Sequence, residues 1–343
     1  ALTPEETRSL AGARPVDPEA YEAYLKGSYY RQSLTREDFD TAQRYLELAL
    51  EKDPSFARAY AGLARVWAGR QQMGYTAPRE AGPKAIEAAE RAVELDDGSA
   101  EAHRALAGVR TWTEWDWAGA EVEWRRALEL DPRSADAHAA FAHFLVHMGR
   151  IDEAVAHSER ALELDPLNAK GHGFYAVVLY HARRYDDALA AAHDAAAIQP
   201  SMPLGRHLKR GVLFVEGKHD EWLAHQREKV ARDPELMEAF EEGLAEGGHE
   251  GAFRRLADLL AARLEESGGI VAPGGVRAVY IAKHHLYAGD HNRTMDWIER
   301  SFEVHDPGLP YVATDPIFDS LRSEPRFQDL LRRMNLPQAE DGF

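Results

Sequence analysis

The sequence contains no cysteine among its 343 residues. This absence excludes disulfide bonds, thiolate catalysis and cysteine-based zinc sites. No uninterrupted apolar run approaches the roughly 18 residues that a membrane-spanning helix needs. The chain begins Ala1-Leu2-Thr3, without an initiator methionine or a signal-peptide pattern. We therefore expect a piece of a longer protein, located in the cytoplasm.

Positive charge is also scarce, since 41 lysine and arginine residues face 58 acidic residues and leave a formal net charge of −17. A surface of this kind repels nucleic acid and anionic lipid unless basic residues cluster, and the sequence shows no such run. We therefore expect neither nucleic acid nor a membrane as a partner. The hydrophobic fraction of 45% is typical of a folded chain rather than a disordered one.

Signatures of catalysis are missing as well. The chain has no phosphate-binding GxxxxGK[ST] or GxGxxG loop, no HExxH or GxSxG motif and no EF-hand loop. His143 and His147 lie four residues apart, as two ligands of one metal ion would on a helix, but no third ligand follows on that face. We predict no enzyme activity, no cofactor and no metal site.

What the sequence does contain is a repeat. The motif ALELDP occurs at Ala127–Pro132 and at Ala161–Pro166, and a relaxed copy, AAAIQP, occupies Ala195–Pro200. Proline recurs every 34 residues, at Pro132, Pro166, Pro200 and Pro234. Alanines stand twelve and five residues before the first three of these prolines, namely Ala120, Ala154 and Ala188, then Ala127, Ala161 and Ala195. Small side chains allow helices to cross closely, and proline ends a helix.

This 34-residue pattern resembles the tetratricopeptide repeat (TPR), a helix–turn–helix unit. The resemblance implies an all-α fold, a right-handed TPR superhelix or α-solenoid of about seven to eight helix pairs with a C-terminal capping helix. We divide the chain into an N-terminal tail (1–17), a repeat array (18–308) and a C-terminal cap and tail (309–343). Within the array, residues 18–202 are well formed, residues 203–267 are degenerate, and residues 275–308 form the final repeat.

Three segments carry a more specific resemblance: Pro18–Gly27, the turn at Trp115–Ala120, and Asp315–Phe327. They are similar to the TPR regions of bacterial multidomain signalling regulators, in which the array follows a Ser/Thr kinase, a nucleotide cyclase or a winged-helix domain. The resemblance implies that this chain is the sensory or partner-binding part of such a regulator.

In TPR proteins the first helix of each repeat lines a concave groove. Carried onto this sequence, the groove positions predict a partner-binding set of Arg58, Arg65, Arg104, His143, His147, Val177, Tyr180 and His181. This mixture suits an extended peptide, or a segment of a partner protein, with apolar and acidic side chains. The hypothesis fails if Arg65 and Arg104 are buried in ion pairs or face the convex side.

Two other functions stay open beside the interaction scaffold. One is self-association into a homo-oligomer, through the 203–267 region or an end repeat. The other is small-molecule sensing, which a closed pocket lined by Trp112, His143 and Tyr180 would favour. The tryptophans Trp112, Trp115, Trp117 and Trp124 form either a binding platform or core, and the positions of Trp117 and Trp124 in the repeat favour core.

Overall fold

The computed structural model describes residues 16–200, 208–271 and 275–336. This part of the chain forms sixteen α-helices. They are α1 (Pro18–Tyr30), α2 (Arg36–Lys52), α3 (Ala57–Gln72), α4 (Pro78–Leu95), α5 (Ala100–Val109), α6 (Trp117–Leu130), α7 (Ala135–His147), α8 (Ile151–Leu164), α9 (Ala169–His181), α10 (Tyr185–Ile198), α11 (Leu208–Val215), α12 (His219–Val230), α13 (Pro234–Glu266), α14 (Ala278–Tyr287), α15 (His291–Glu303) and α16 (Pro325–Arg333).

Most consecutive helices pack against each other as pairs, and successive pairs stack along the chain. The pairs α1/α2 to α11/α12 are repeats 1 to 6, the two arms of α13 form repeat 7, and α14/α15 is repeat 8. The predicted all-α superhelix is therefore confirmed. No helix in the described ranges is both long and apolar enough to span a bilayer. Most of the predicted N-terminal tail (1–15), residues 201–207 and the tail at 337–343 lie outside the described residues.

Local sequence signals start the first helices of the central repeats. Ser99, Ser134 and Asn168 each precede a helix, and each side-chain oxygen accepts a hydrogen bond from the backbone N–H three residues later. Such a cap satisfies a backbone donor that the helix cannot pair, and it contributes about 1 kcal/mol to helix stability. The helices α5, α7 and α9, which line the groove, therefore begin at equivalent points.

The small residues of the repeat lie where the helices cross. All six predicted alanines, from Ala120 to Ala195, are buried. Trp117 and Trp124 are also buried, which confirms their assignment to the core. The Trp124 Nε1–H donates to the Thr111 hydroxyl at 3.0 Å, so its one polar atom is paired. Packing therefore explains both the alanines and the tryptophans.

Repeat 7 depends on glycine. The helix α13 is interrupted at Gly247 and Gly248, where the backbone leaves helical geometry and folds the second arm back on the first. The arms meet at Gly243 and Gly251, where a Cβ added to Gly243 would lie 2.4 Å from the carbonyl oxygen of Gly251. The partner atom is backbone and cannot move aside, so the crossing admits no side chain.

The C-terminal segment, residues 304–336, follows repeat 8. It comprises two 3₁₀ turns, Leu309–Ala313 and Pro316–Leu321, and the helix α16. The sequence predicted a cap over the end of the array. The segment packs on the last repeat, where Arg326 pairs with Asp296 and Glu299, and it also reaches the central repeats: the Trp117 Nε1–H donates to the carbonyl oxygen of Met334 at 2.6 Å. Its contacts define the functional surfaces described below.

Replacing Gly243 with alanine tests the crossing in repeat 7. Because the new methyl group meets backbone, we expect Gly243→Ala to lower the free energy of unfolding by about 1–3 kcal/mol in urea titrations. Gly98 lies in an exposed turn with ordinary van der Waals space for a Cβ. Gly98→Ala is therefore the control and should leave the free energy of unfolding unchanged. Equal stability of the two variants would contradict the packing account.

Candidate functional site

The inner surface of the superhelix is divided into two regions by the C-terminal segment. Tyr311 of its first 3₁₀ turn contacts α7, the first helix of repeat 4: the Tyr311 hydroxyl lies 2.9 Å from Nε2 of His143. The Tyr311 ring also packs edge-on against His147, with ring centroids 4.4 Å apart. His143 and His147 are consequently buried, so the chain itself fills the groove at the C-terminal half of α7, whereas the start of α7 stays uncovered.

A second set of contacts continues this closure into repeat 5. The Thr314 hydroxyl lies 2.8 Å from Nδ1 of His181, and the Tyr180 hydroxyl donates to the Asp315 carboxylate at 2.9 Å. The same carboxylate pairs with Lys283 of repeat 8 at 2.8 Å. Asp315 is 3% exposed and thus connects repeats 5 and 8 from inside the superhelix.

The groove of repeats 1 to 4 remains open. This N-terminal groove is a cavity of about 1020 Å³. Its lining comes mainly from the first helices α1, α3, α5 and α7 and includes Tyr21, Tyr24, Arg31, Phe56, Arg58, Arg65, Glu101, Arg104 and Asp136. A second opening at its edge, lined by Asp136 and Lys170 among others, extends the surface to repeat 5.

An ion-pair cluster forms the floor of the N-terminal groove. Arg65 lies 3.3 Å from Glu101, Arg104 lies 3.2 Å from Asp136, and Lys170 pairs with Asp136 at 2.8 Å. The side chains of Arg65 and Arg104 are each 14% exposed. Four successive first helices, α3 to α9, thus each contribute charged groups to one network.

Positive charge exceeds negative charge in this network. Arg31, directly after α1, adds a fourth cation to Arg65, Arg104 and Lys170, whereas only Glu101 and Asp136 are acidic. The Nε atom of Arg31 is buried and has no hydrogen-bond partner in the described part of the chain. Burial, followed by the repulsion of Arg104, lowers the pKa of Arg31. The cluster therefore contains cationic groups that its own two carboxylates do not balance.

The closeness of the charged groups in the cluster also shifts the pKa values of Lys170 and Asp136. Burial, aided by the repulsion of Arg65 and Arg31 and opposed by Asp136, lowers the pKa of Lys170 to about 8. Lys170 and the two arginines hold the pKa of Asp136 well below its usual range, so that carboxyl is ionised. An anionic ligand would relieve the repulsion among the cations.

The rim of the N-terminal groove offers accessible groups. Arg58 is exposed and makes no ion pair in the described part of the chain. Beside it, the rings of Tyr24 and Phe56 pack edge-on with centroids 5.2 Å apart. Tyr21 adjoins them and is 42% exposed. A charged group and an aromatic surface are thus available together.

The predicted groove residues fall into three groups. Arg58, Arg65 and Arg104 line the N-terminal groove, but Arg65 and Arg104 are held in ion pairs, which is the condition under which the peptide hypothesis built on the eight predicted residues fails. His143 and His147 are covered by Tyr311. Val177, Tyr180 and His181 border a separate cavity. The eight residues therefore do not form one continuous binding surface.

Sequence reasoning missed Arg31 and Tyr311. Arg31 lies in the 3₁₀ turn after α1, outside the repeat positions that point into the groove. Tyr311 lies beyond the last repeat, and no repeat rule describes what a terminal segment contacts. The repeat register therefore gives no signal for either residue.

The separate cavity, here called the C-terminal cavity, has a volume of about 770 Å³. It lies among α9, α11 to α14 and the C-terminal segment. Tyr180 borders it, but Trp112 and His143 do not. Those two rings pack together instead, with centroids 5.9 Å apart, so the pocket expected from Trp112, His143 and Tyr180 is not formed.

The histidines do not assemble a metal site in the described ranges, where no group of three or more histidine, aspartate or glutamate side chains could hold an ion. Burial lowers the pKa of His143 to about 3 and that of His181 to about 4. Both imidazoles are therefore neutral near pH 7 and serve as hydrogen-bonding partners of the C-terminal segment.

Comparison with known families identifies the repeat. Two sequence models described as tetratricopeptide repeat match the chain, one at residues 34–73 and 140–203 and the other at residues 123–156. These segments are tetratricopeptide repeats, and the fold is a TPR superhelix. No curated protein sequence matches the chain.

Several solved structures are similar. YrrB, described as a TPR protein with an unusual peptide-binding site, is 24% identical over 60% of this chain and 97% of its own, with a TM-score of 0.35. The TPR protein TTC0263 of Thermus thermophilus is 20% identical over 57% and 99%, with a TM-score of 0.45. A human IFIT1 dimer with m7Gppp-AAAA is 15% identical over 88% and 75%, with a TM-score of 0.55. The IFIT1 match shows a shared fold.

The buried histidines predict loss of stability in acid. The unfolded chain binds these protons near pH 6.5, whereas the folded chain binds them only near pH 3 to 4, so stability is full above pH 6.5 and falls as the pH drops. Each such histidine lowers the free energy of unfolding by up to about 1.4 kcal/mol for every pH unit of acidification below pH 6.5.

Urea titrations at a series of pH values measure this effect. Between pH 6 and 4.5 the unfolding free energy of the unaltered chain should fall with a slope that includes one proton taken up by His143 on unfolding. We expect this proton to be missing from the slope of His143→Gln, so that its stability falls less steeply. His193, whose side chain is 85% exposed, supplies the control His193→Gln, which should leave the slope unchanged. A slope equal to that of the unaltered chain in His143→Gln would contradict the burial argument.

Proposed function

We propose that this TPR superhelix is a non-catalytic interaction scaffold that binds an extended peptide with acidic side chains in its N-terminal groove. Tetratricopeptide-repeat proteins mediate protein–protein interaction and peptide binding. The observation that supports this proposal is an open groove whose floor cluster contains more cations than carboxylates, namely Arg31, Arg65, Arg104 and Lys170 against Glu101 and Asp136. Such a site gains more from an anionic ligand than from a neutral one.

The groove provides two kinds of contact. Arg58 and Arg31 are the cations that lack an ion-pair partner in the described part of the chain, so they are assigned to the acidic side chains of the peptide. Tyr21 and the Tyr24–Phe56 pair provide an aromatic surface for an apolar side chain. Arg65 and Arg104 act indirectly. They stay paired with Glu101 and Asp136 and attract the peptide through the electrostatic potential of the groove rather than through direct contacts.

The net charge of −17 makes the groove selective. An acidic peptide is repelled by most of the surface and attracted only where the cations are concentrated, which favours one register of binding. Lysine-rich segments would be attracted to the exterior and repelled from the groove floor. Specificity thus comes from a local reversal of the overall charge.

We further propose that the chain is the partner-binding part of a bacterial multidomain regulator and works in the cytoplasm. The support is the similarity of the segments at 18–27, 115–120 and 315–327 to the TPR regions of such regulators. In that setting, peptide capture in the N-terminal groove would recruit a target to the effector domain.

Fluorescence anisotropy with a labelled peptide that alternates glutamate and leucine tests the groove. We expect Arg58→Gln to weaken binding by about three- to tenfold, because it removes one charge-assisted contact. Arg126, an exposed arginine on the second helix of repeat 3, supplies the control Arg126→Gln, which should bind as the unaltered chain does. Raising the pH through the Lys170 pKa of about 8 should also weaken binding.

A peptide with lysine in place of glutamate distinguishes specific from general attraction. If it binds as tightly as the glutamate peptide, or if Arg126→Gln weakens binding as much as Arg58→Gln does, the N-terminal groove is not the binding site.

One observation favours the alternative of self-association. Leu25 and Tyr29 lie four residues apart on α1, the first helix of the end repeat, and are 49% and 74% exposed. With Tyr21 they form an apolar stripe at the spacing of successive helical turns. A second copy of this end repeat would cover the stripe.

Light scattering at increasing protein concentration tests this alternative. If the stripe is the interface, the measured mass rises with concentration and Leu25→Glu keeps the chain monomeric, because a buried unpaired carboxylate is costly. Leu167 is 77% exposed on another repeat, so Leu167→Glu is the control and should leave the mass unchanged. A constant monomer mass for the unaltered chain would reject self-association.

A further inference from the structure

A buried arginine without a carboxylate partner lies beside the C-terminal cavity. Arg210 of α11 is 4% exposed, and it makes no ion pair within the described ranges. Its Nη1–H donates to the Tyr280 hydroxyl at 3.0 Å, while its Nε is buried and without a partner. Residues 201–207, which precede α11 in the sequence, contain no acidic residue.

The acidic groups of the cavity are already paired with other cations. Asp315 pairs with Lys283 at 2.8 Å, and Asp233 accepts a hydrogen bond from Arg263 at 3.0 Å. Two other cations at the lining also have acidic partners outside it, since Arg263 pairs with Glu235 and Arg277 lies 3.8 Å from Asp306. Because an uncompensated buried guanidinium is expensive, the cavity is incomplete without a negative charge.

Burial lowers the pKa of Arg210, but Tyr280 and Tyr287 raise it overall, so they stabilise the guanidinium without being an acidic partner. The guanidinium carbon of Arg210 lies 5.0 Å from the ring centroid of Tyr280 and 5.7 Å from that of Tyr287. The faces of neutral rings attract a cation through their quadrupole but carry no net charge. Two further buried polar atoms at the cavity, Nε2 of His284 and Oε1 of Gln226, also lack partners in the described part of the chain.

The remaining lining is apolar and restricts the shape of a ligand. Leu256, Leu260 and Val279 also border the cavity. A volume of about 770 Å³ lies within the range of small-molecule sites. The cavity thus combines one buried cation, unpaired polar atoms and an apolar wall, which is the usual composition of a site for an amphipathic ligand.

We propose that the C-terminal cavity binds a small organic anion, a carboxylate or phosphate attached to an apolar body, with Arg210 holding the anionic group. The apolar body lies against the leucines and the tyrosine rings. The site is independent of the N-terminal groove, because Tyr311 and the C-terminal segment separate the two.

Ligand binding here would stabilise the contact between repeat 5 and the C-terminal half. Tyr180, Lys283 and Asp315 border the same cavity and hydrogen-bond or pair with one another. An anion on Arg210 therefore strengthens a junction that already joins distant parts of the chain, and its binding is linked to overall stability.

Calorimetry and thermal unfolding with three probes test the proposal: phenyl phosphate, phenylacetate and the neutral benzyl alcohol. We expect at least one of the two anions to bind and to raise the melting temperature, and benzyl alcohol to do neither. Arg210→Met should weaken the binding of that anion roughly tenfold or more, and Arg210→Lys should retain part of it. Arg227 on the neighbouring α12 is exposed and paired with Glu241, so Arg227→Met is the control and should bind normally.

Stability without any probe gives a second readout. If Arg210 is uncompensated, Arg210→Met should be at least as stable as the unaltered chain, as expected when a binding group is kept at the expense of stability. Three results would overturn the proposal. They are the absence of binding by both anions, equal binding by Arg210→Met, or a tyrosinate absorbance at neutral pH that Tyr280→Phe removes, which would identify Tyr280 as the counterion.

Discussion

The arrangement of both cavities depends on one buried carboxylate. Asp315 accepts hydrogen bonds from the Tyr180 hydroxyl and the Ile317 backbone N–H, and it pairs with Lys283. Burial raises the pKa of this carboxyl, but Lys283 and the neighbouring hydrogen-bond donors lower it by more. The pKa of Asp315 therefore lies below its usual value, and the carboxyl is ionised. A charge so well satisfied fixes the C-terminal segment inside the superhelix, and the position of that segment decides which part of the groove is filled and which part stays open.

Charge is distributed unevenly between the outside and the inside of this protein. The chain is strongly acidic overall, yet the buried ion-pair cluster of the N-terminal groove contains four basic and two acidic side chains, and the C-terminal cavity contains a buried arginine that makes no ion pair in the described part of the chain. The two excesses differ in kind. In the N-terminal groove the cations share two carboxylates and meet a wide opening, which suits a polymeric ligand. In the C-terminal cavity one guanidinium is buried among aromatic and aliphatic side chains, which suits a compact one.

The repeat period predicted the helix pairs because each position has a local packing reason. Alanines such as Ala154 and Ala188 lie at helix crossings wherever the motif recurs. The direction of His143 toward the groove was equally predictable. The residue that covers His143 was not predictable, because the contact with Tyr311 joins residues 168 positions apart and leaves no periodic signal in the sequence. Arg210 lies in the degenerate repeat, where the pattern that assigns roles to residues is weakest.

The hydrogen bond between Trp117 and Met334 has a kinetic consequence. In an ordinary solenoid each repeat contacts only its neighbours, so folding can begin anywhere and spread along the array. Here the bond spans 217 residues of sequence, and a contact of such separation forms slowly because a long loop must close first. During synthesis, repeats 3 to 5 would keep an incomplete inner surface until residues 304–336 leave the ribosome. Folding of the array is therefore not purely local, because a segment that follows repeat 8 completes the packing of repeats 3 to 5.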